Sequence, residues 1–362
     1  MPNSLYEYIL LSAESGLTLQ LDNGSMPSGN NGPYLDPETP VRNTGHWLII
    51  FLKAFYISED QKFEQAAKKC LSYLLSKEAR PMHATFFHRK NPLKDATNGL
   101  IGQAWTIEAL LYAFDYFKDD RILKLAEEVF LLHPYDDMMK GWKVVNVDGS
   151  IKSFDLTFNH QLWFAAIGSL LAKHGNKEVI ATTNNFIYSI ETNIEIYGDG
   201  TIKHKPLYYM RPTSISKLRA RVELWRQKVE IKSYINRKSI GYHGFNLYAL
   251  GIIKETHPKL PFFNSEKFKS TLKVISSKEF GNSLKDNKYA YPYNPIGIEL
   301  AYALQVFERE KEAPKWLEEN VRQCYDFELK LMGRNSQFDK PTAAARMYEA
   351  YRLKDYNLDL HG

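Results

Sequence analysis

Two aspartates stand just ahead of long apolar runs, Asp95 in NPLKDATNGLIGQAW and Asp155 in SIKSFDLTFNHQLW. The unpaired N–H groups at a helix start stabilise a carboxylate, and in a cleft one of two carboxyls can keep a proton that the other has lost. That arrangement suits general acid and base catalysis, with Asp155 as acid or base and Asp95 assisting. His160 follows in the same run and His243 opens another. Imidazole titrates near neutrality, so both are candidates for carrying protons.

Polar and aromatic residues recur where other apolar runs begin: Arg42, His46 and Trp47; Asn98, Gln103 and Trp105; Asn159; Tyr242; Tyr291 and Glu299; and Arg346. A sugar is held by this mixture, because aromatic faces stack on its C–H face while amides, carboxylates and guanidinium groups pair with its hydroxyls or carboxylate. Trp47, Trp105 and Tyr291 are the expected stacking platforms. Arg42 and Arg346 are the expected partners of a uronic acid carboxylate. No HExxH pair, phosphate-binding loop, dinucleotide fingerprint or GxSxG elbow occurs, so neither a metal nor a cofactor is expected.

The runs themselves repeat. Segments with a polar or glycine-containing start and apolar residues nearly all round begin near 41, 97, 155, 239, 294 and 341. A helix apolar on most of its circumference must be surrounded by protein, so these six read as inner helices. Helices with one apolar stripe alternate with them near 59–79, 119–132, 176–196, 265–278 and 314–331. Residues 3–14 supply a sixth if the N-terminus packs beside the last inner helix. The expected fold is all-α, an (α/α)6 toroid over residues 1–362 with a basic helical insertion at about 197–238. Asp-Gly or Asn-Gly steps at 21–29, 146–154 and 197–205 predict short β-hairpins at the cleft mouth. Long connections lead into the inner helices and short ones leave them, which puts function at the inner-helix N-termini.

The net charge of +5 is mild. The basic stretch KLRARVELWRQKVEIKSYINRK at 217–238 alternates with Glu and apolar positions at helical spacing, which describes a solvated amphipathic helix and not a nucleic-acid footprint. Cys70 and Cys324 lie in helical patterns and read as buried thiols. The N-terminus has no signal-peptide pattern, and no apolar run is long enough to span a membrane, so a cytoplasmic location is expected.

GLIGQAWTIEALLYAF at 99–114 resembles the RGQAW-type inner helix of unsaturated glucuronyl and rhamnogalacturonyl hydrolases, and FDLTFNHQLWFAA at 154–166 resembles their aspartate-led helix. These families are (α/α)6 toroids, as are the N-acylglucosamine 2-epimerases. The resemblance implies that Asp155 protonates the C4–C5 double bond of an unsaturated uronic acid and activates water, with Asn159 beside it. The expected function is therefore a glycoside hydrolase acting on uronic-acid-containing oligosaccharides or polysaccharides. Two alternatives stand beside it: a polysaccharide lyase or sugar epimerase working through Tyr and His, and a non-catalytic accessory protein of polysaccharide biosynthesis.

Overall fold

The computed structural model describes residues 2–210 and 231–360. Among them, inner helices α2 (Val41–Ser58), α4 (Gly99–Phe117), α6 (Phe158–Leu171), α8 (His243–Thr256), α10 (Ile296–Val306) and α12 (Lys340–Ala345, continued as a 3-10 turn over Arg346–Arg352) pack neighbour to neighbour, the last against the first. Outer helices α3 (Gln61–Leu74), α5 (Asp120–Leu131), α7 (Lys177–Ile187), α9 (Glu266–Val274) and α11 (Ala313–Cys324) alternate with them. The sixth outer helix is α1 (Leu5–Leu17), tied to the chain end by Leu5 N–H to Tyr356 O and Leu358 N–H to Asn3 O. The fold is the (α/α)6 toroid that the repeat predicts.

Burial explains the division. Helix α6 buries twelve of its fourteen residues, whereas α5 buries only Ile122, Ala126, Val129 and Phe130, a single stripe. Inner helices approach closely where side chains are small: an added Cβ on Gly45 would lie 3.3 Å from the Ala109 methyl, and one on Gly251 would lie 2.8 Å from the Tyr302 ring. The predicted caps form. Asp119 accepts from Arg121 N–H and Ser265 from Phe268 N–H, and Pro314 and Pro341 stand in the first turns of α11 and α12.

The predicted turns differ in degree. Strands β1 (Tyr135–Asp136), β2 (Gly141–Val145) and β3 (Ile151–Phe154) form an antiparallel sheet whose second turn carries Asp148 and Gly149. Residues 197–201 turn within a lone Ile196–Ile202 bridge, and 21–25 form a turn without a ladder. Helix α11 stops at Cys324, shorter than expected, and the chain then forms a hairpin of β4 (Tyr325–Asp326) and β5 (Leu331–Met332). Asp326 ends the helical run by accepting from Glu328 and Leu329 N–H. Of the basic stretch, 211–230 lies outside the described residues, while Ile231–Gly241 is helical. No helix among the described residues is long and apolar enough to cross a membrane.

Candidate active site

The first turns of the inner helices do two jobs, and only one concerns a ligand. Several polar residues there clamp the loops that lead into the helices. Gln103 is buried on α4, accepts from Phe86 N–H at 2.9 Å and donates to the carbonyls of Phe86 and Thr97. Gln161 on α6 repeats the device with Trp142 N–H and the carbonyls of Trp142 and Asp155. His243 on α8 accepts from Ile202 N–H at Nδ1 and lies 2.9 Å from Thr271 O at Nε2. Both ring nitrogens are thus engaged with backbone, and burial pushes its pKa down to about 4. The expected proton-carrying role of His243 and the ligand-binding role of Gln103 are therefore corrected: both satisfy loop backbone that would otherwise be buried unpaired.

A pit of about 260 Å³ opens between the loops. Its wall includes Asn98, Ile101, Trp105, Asn159, His160, Tyr242, Phe245, Tyr293 and Arg346 from inner helices or the residues just before them, and Asn31, Tyr34, Arg89, Lys94, Thr157, His204, Lys205 and Lys238 from the segments leading in. Asn98, Trp105, Asn159, His160, Tyr242 and Arg346 are thus brought together where the sequence reading expected them. The remaining expected residues lie elsewhere. Trp47 packs on Gly16 and faces a separate apolar groove of about 160 Å³, lined also by Leu329, Leu331 and Pro341. Tyr291 points away, leaving Tyr293 two positions on to line the pit. The stacking roles expected for Trp47 and Tyr291 are corrected accordingly, since neither ring reaches the pit.

Arg42 is also displaced. It lies buried with its guanidinium 4.0 Å over the Trp105 ring, paired with Glu38 at 3.4 Å and within hydrogen-bond reach of Asn31 and Tyr293. It supports the pit wall from behind instead of meeting a carboxylate. His46 stacks on Tyr348 at 3.9 Å and meets Trp105 edge-on, so it too lies behind the wall. Arg346 does reach the pit, held from below by Glu299 at 2.8 Å, Glu349 at 2.6 Å and Asn294 at 3.0 Å. Glu299 serves as its anchor and not as a ligand group. Burial and the charge of Glu349 drive the Glu299 carboxyl well up, with Arg346 opposing, and burial raises Glu349 to about 7.

The two aspartates are spent at the wall. Asp95 accepts from Gly99 N–H at 2.6 Å, from the Thr97 hydroxyl and from Arg89 at 2.6 Å. Asp155 accepts from Thr157 N–H at 3.0 Å and Leu100 N–H at 3.3 Å, and its Oδ2 lies 2.8 Å from His160 Nδ1. Burial raises both carboxyls, but the partners Arg89 and His160 and these hydrogen bonds outweigh it and hold each below the usual range. Neither is a proton-bearing acid, and neither lines the pit. An ionised Asp155 fixes the proton of His160 on Nδ1, which leaves Nε2 as a lone pair beside the cavity.

The second imidazole of the pit is His204, stacked on Tyr242 with ring centroids 5.2 Å apart. Burial, then the charges of Lys238, His160 and Lys205, push its pKa well down, so it is neutral. Tyr242 donates to or accepts from Tyr34 at 2.8 Å across the mouth. Among the described residues the wall carries two imidazoles and five Lys or Arg side chains but no carboxylate. Sequence reading missed Asn31, Tyr34, Arg89, Lys94, His204 and Lys205. Their signal was positional: each lies in a loop leading to an inner helix, and His204 sits in the turn segment YGDGTIKHK.

No family model matches this chain. It is 43% identical over 373 aligned positions to the archaeal glycosylation protein Q of Haloferax volcanii, with 99% of each chain covered. Among solved structures it is similar to the cellobiose 2-epimerase of Spirochaeta thermophila, with a TM-score of 0.64 at 15% identity over 93% of this chain and 92% of that one. It is likewise similar to an unsaturated glucuronyl hydrolase specific for heparin, with a TM-score of 0.58 at 10% identity over 96% and 95% of the two chains. At these identities the structural likeness is one of fold, shared by carbohydrate-active enzymes of the (α/α)6 toroid class.

Proposed function

Since this chain belongs to the family of the archaeal glycosylation protein Q, we propose that it is a glycan-processing enzyme that moves a proton on an acidic sugar held in the toroid's pit. The observation that carries this reading is the makeup of the wall: imidazoles and cations among the described residues, with the Asp155 carboxylate behind it spent on orienting an imidazole. In this reading His160 Nε2 takes a proton from a carbon next to a carbonyl or carboxylate. The negative charge that develops meets Arg346, which Glu299, Glu349 and Asn294 hold in place before substrate arrives. The Tyr242 hydroxyl, which burial keeps protonated, returns a proton, and return to the other face or to the neighbouring carbon gives an epimerase or an isomerase. Trp105 and Phe245 supply apolar faces for the ring.

Glycoside hydrolysis would ask for two carboxyls flanking the scissile bond, one of them protonated. Asp95 and Asp155 instead have lowered pKa values and several donors each. The geometry therefore favours proton transfer at carbon.

The test is to incubate the protein in D2O with a panel of uronates and uronyl disaccharides and follow the sugars by NMR. The expected result is replacement of one C–H by C–D with appearance of an epimer or isomer, abolished in His160→Gln. New reducing ends without deuterium at carbon would instead make it a hydrolase. Saturable binding with neither change would make it a binding protein.

A further inference from the structure

Between Gly29 and Asp36 the chain makes a 3-10 turn over Gly32–Tyr34, and Asn31, Gly32 and Leu35 all take left-handed backbone angles, with φ of 53°, 56° and 49°. Two of the three carry side chains, for which that region is strained. Leu35 does not adopt it to bury its side chain, which is 63% exposed. The turn is pinned from the body of the ring. Asp339, which caps α12, accepts from both Asn30 and Gly32 N–H at 2.8 Å, and Asn31 Oδ1 accepts from the Tyr293 hydroxyl at 2.9 Å. Gly32 lies so close to the Tyr293 ring that an added Cβ would stand 2.0 Å from it. Backbone strain persists where the surroundings over-determine it, and such places cluster at active sites. Asn31 is engaged with Arg42 and Tyr293 in the wall, so what the turn carries to the reacting groups is Tyr34, part-exposed, with its hydroxyl 2.8 Å from that of Tyr242.

We propose that Tyr34 is a positioning residue for the proton return: acting through Tyr242, it steadies the phenolate that Tyr242 becomes and gives it back its proton. The inference rests on the proton-transfer reading of the pit. In that reading the carbanion left when His160 Nε2 takes the C–H proton receives a proton from the Tyr242 hydroxyl; a C–H bond forms, the O–H bond breaks, and its electron pair stays on the Tyr242 oxygen. Tyr242 is buried, and burial opposes that charge. At rest either hydroxyl can be the donor of the pair. While Tyr242 donates to Tyr34, the bond helps it keep its proton. Once Tyr242 has turned its proton toward the sugar, only the Tyr34 hydroxyl can donate across the 2.8 Å gap. A donor already aimed at the oxygen where charge develops is most effective in a site shielded from water. The Tyr34 proton then passes to the Tyr242 oxygen, part-exposed Tyr34 recovers a proton from solvent, and His160 releases one to solvent. The cycle closes without a co-reactant.

Deuterium exchange on the same uronates and uronyl disaccharides tests the relay, because it reads the two proton transfers separately. In D2O, C–D in recovered substrate reports removal and return by His160, whereas formation of the epimer or isomer reports delivery from Tyr242. Tyr34→Phe keeps the ring and removes the hydroxyl. The expected result is product formation about tenfold to a hundredfold slower, the loss of one hydrogen bond to a charged group, with exchange into recovered substrate within about threefold of wild type. Tyr242→Phe should show the same split, and the double variant should be no slower than Tyr242→Phe alone, since Tyr34 acts only through that hydroxyl. Tyr34→Phe at the wild-type product rate overturns the relay. So does a variant in which exchange and product formation fall together, or a double variant slower than Tyr242→Phe, since either marks Tyr34 as a wall residue only. Each of these outcomes spares the proton-transfer reading, whereas a wild type that exchanges no carbon-bound proton sinks that reading and the relay with it.

Discussion

Replacing Asp155 by Asn changes one atom and should remove most of the activity while leaving the fold. In the native site Oδ2 receives the His160 Nδ1 proton at 2.8 Å, and the carboxylate also accepts from Thr157 and Leu100 N–H. The Asn side chain keeps one acceptor: with that oxygen left to Thr157 N–H, its NH2 takes the place of the oxygen that Leu100 N–H and His160 Nδ1 shared and faces His160. Nδ1 must then accept, the proton moves to Nε2, and the lone pair that would meet substrate is gone. Loss of the correct tautomer and of a positioned base costs about 10²–10⁴ in rate, or about 3–5 kcal/mol of barrier. Weakening one charge-assisted bond costs about 1–3 kcal/mol of stability. Because the folded Asp155 pKa lies below its ordinary value of 3.8, that stability is present above pH 3.8 and lost as pH falls through the lowered value. The wild type and variant should therefore converge in stability in acid. The rate of deuterium incorporation reads the first effect and urea unfolding at pH 7 and pH 3 reads the second. An Asp155→Asn enzyme within tenfold of wild type would refute the orienting role. So would a dead Asp155→Asn beside a fully active His160→Gln, which would make the carboxyl itself the catalyst.

Three further outcomes follow from the packing. Trp47→Ala should cost about 3–5 kcal/mol of stability with sugar affinity unchanged, while Trp105→Ala should weaken sugar binding; unfolding and calorimetry on both variants separate core from platform. Arg346→Met strips the buried cation from Glu299 and Glu349 and should destabilise by about 3–5 kcal/mol, with recovery when both acids are also changed to Gln; denaturant titration measures it. Glu108 is raised to about 7 by burial, with Arg352 opposing, so its contribution is intact below its ordinary pKa of 4.5 and lost as pH climbs through 7. Glu108→Gln should thus gain on wild type by up to about 3 kcal/mol between pH 4.5 and 7.5, read from thermal melts across that range.

The chain's own periodicity determined the ring. Six runs apolar on nearly every side alternate with helices carrying one stripe, and a closed double layer buries both; a reader of the sequence can reach paired layers from burial, and the ring from six pairs of uneven spacing without a consensus repeat. The same pattern placed the chemistry at the inner-helix starts, where Trp105, Asn159, His160, Tyr242 and Arg346 do meet. It could not say which polar residue of a first turn would face the pit. Gln103 and Trp105 are two positions apart, yet one clamps a loop backbone and the other lines the cavity. A helix turns about 100° per residue, so neighbours in sequence face different partners, and those partners come from loops of irregular path.

Nor could spacing show what each charge would be paired with. Asp155 looked like an acid because it precedes a helix, but its role depends on Leu100, brought beside it from another repeat, and on His160 one turn later. Arg42 looked like a ligand for a carboxylate until Glu38, Tyr293 and Trp105 closed around it. The hairpin at 325–332 was hidden in a helical pattern and is decided by Asp326 against the N–H groups that follow it. Burial patterning is a property of each segment and can be read along the chain. Protonation, orientation and access depend on contacts between segments far apart in sequence, and those exist only once the ring has closed.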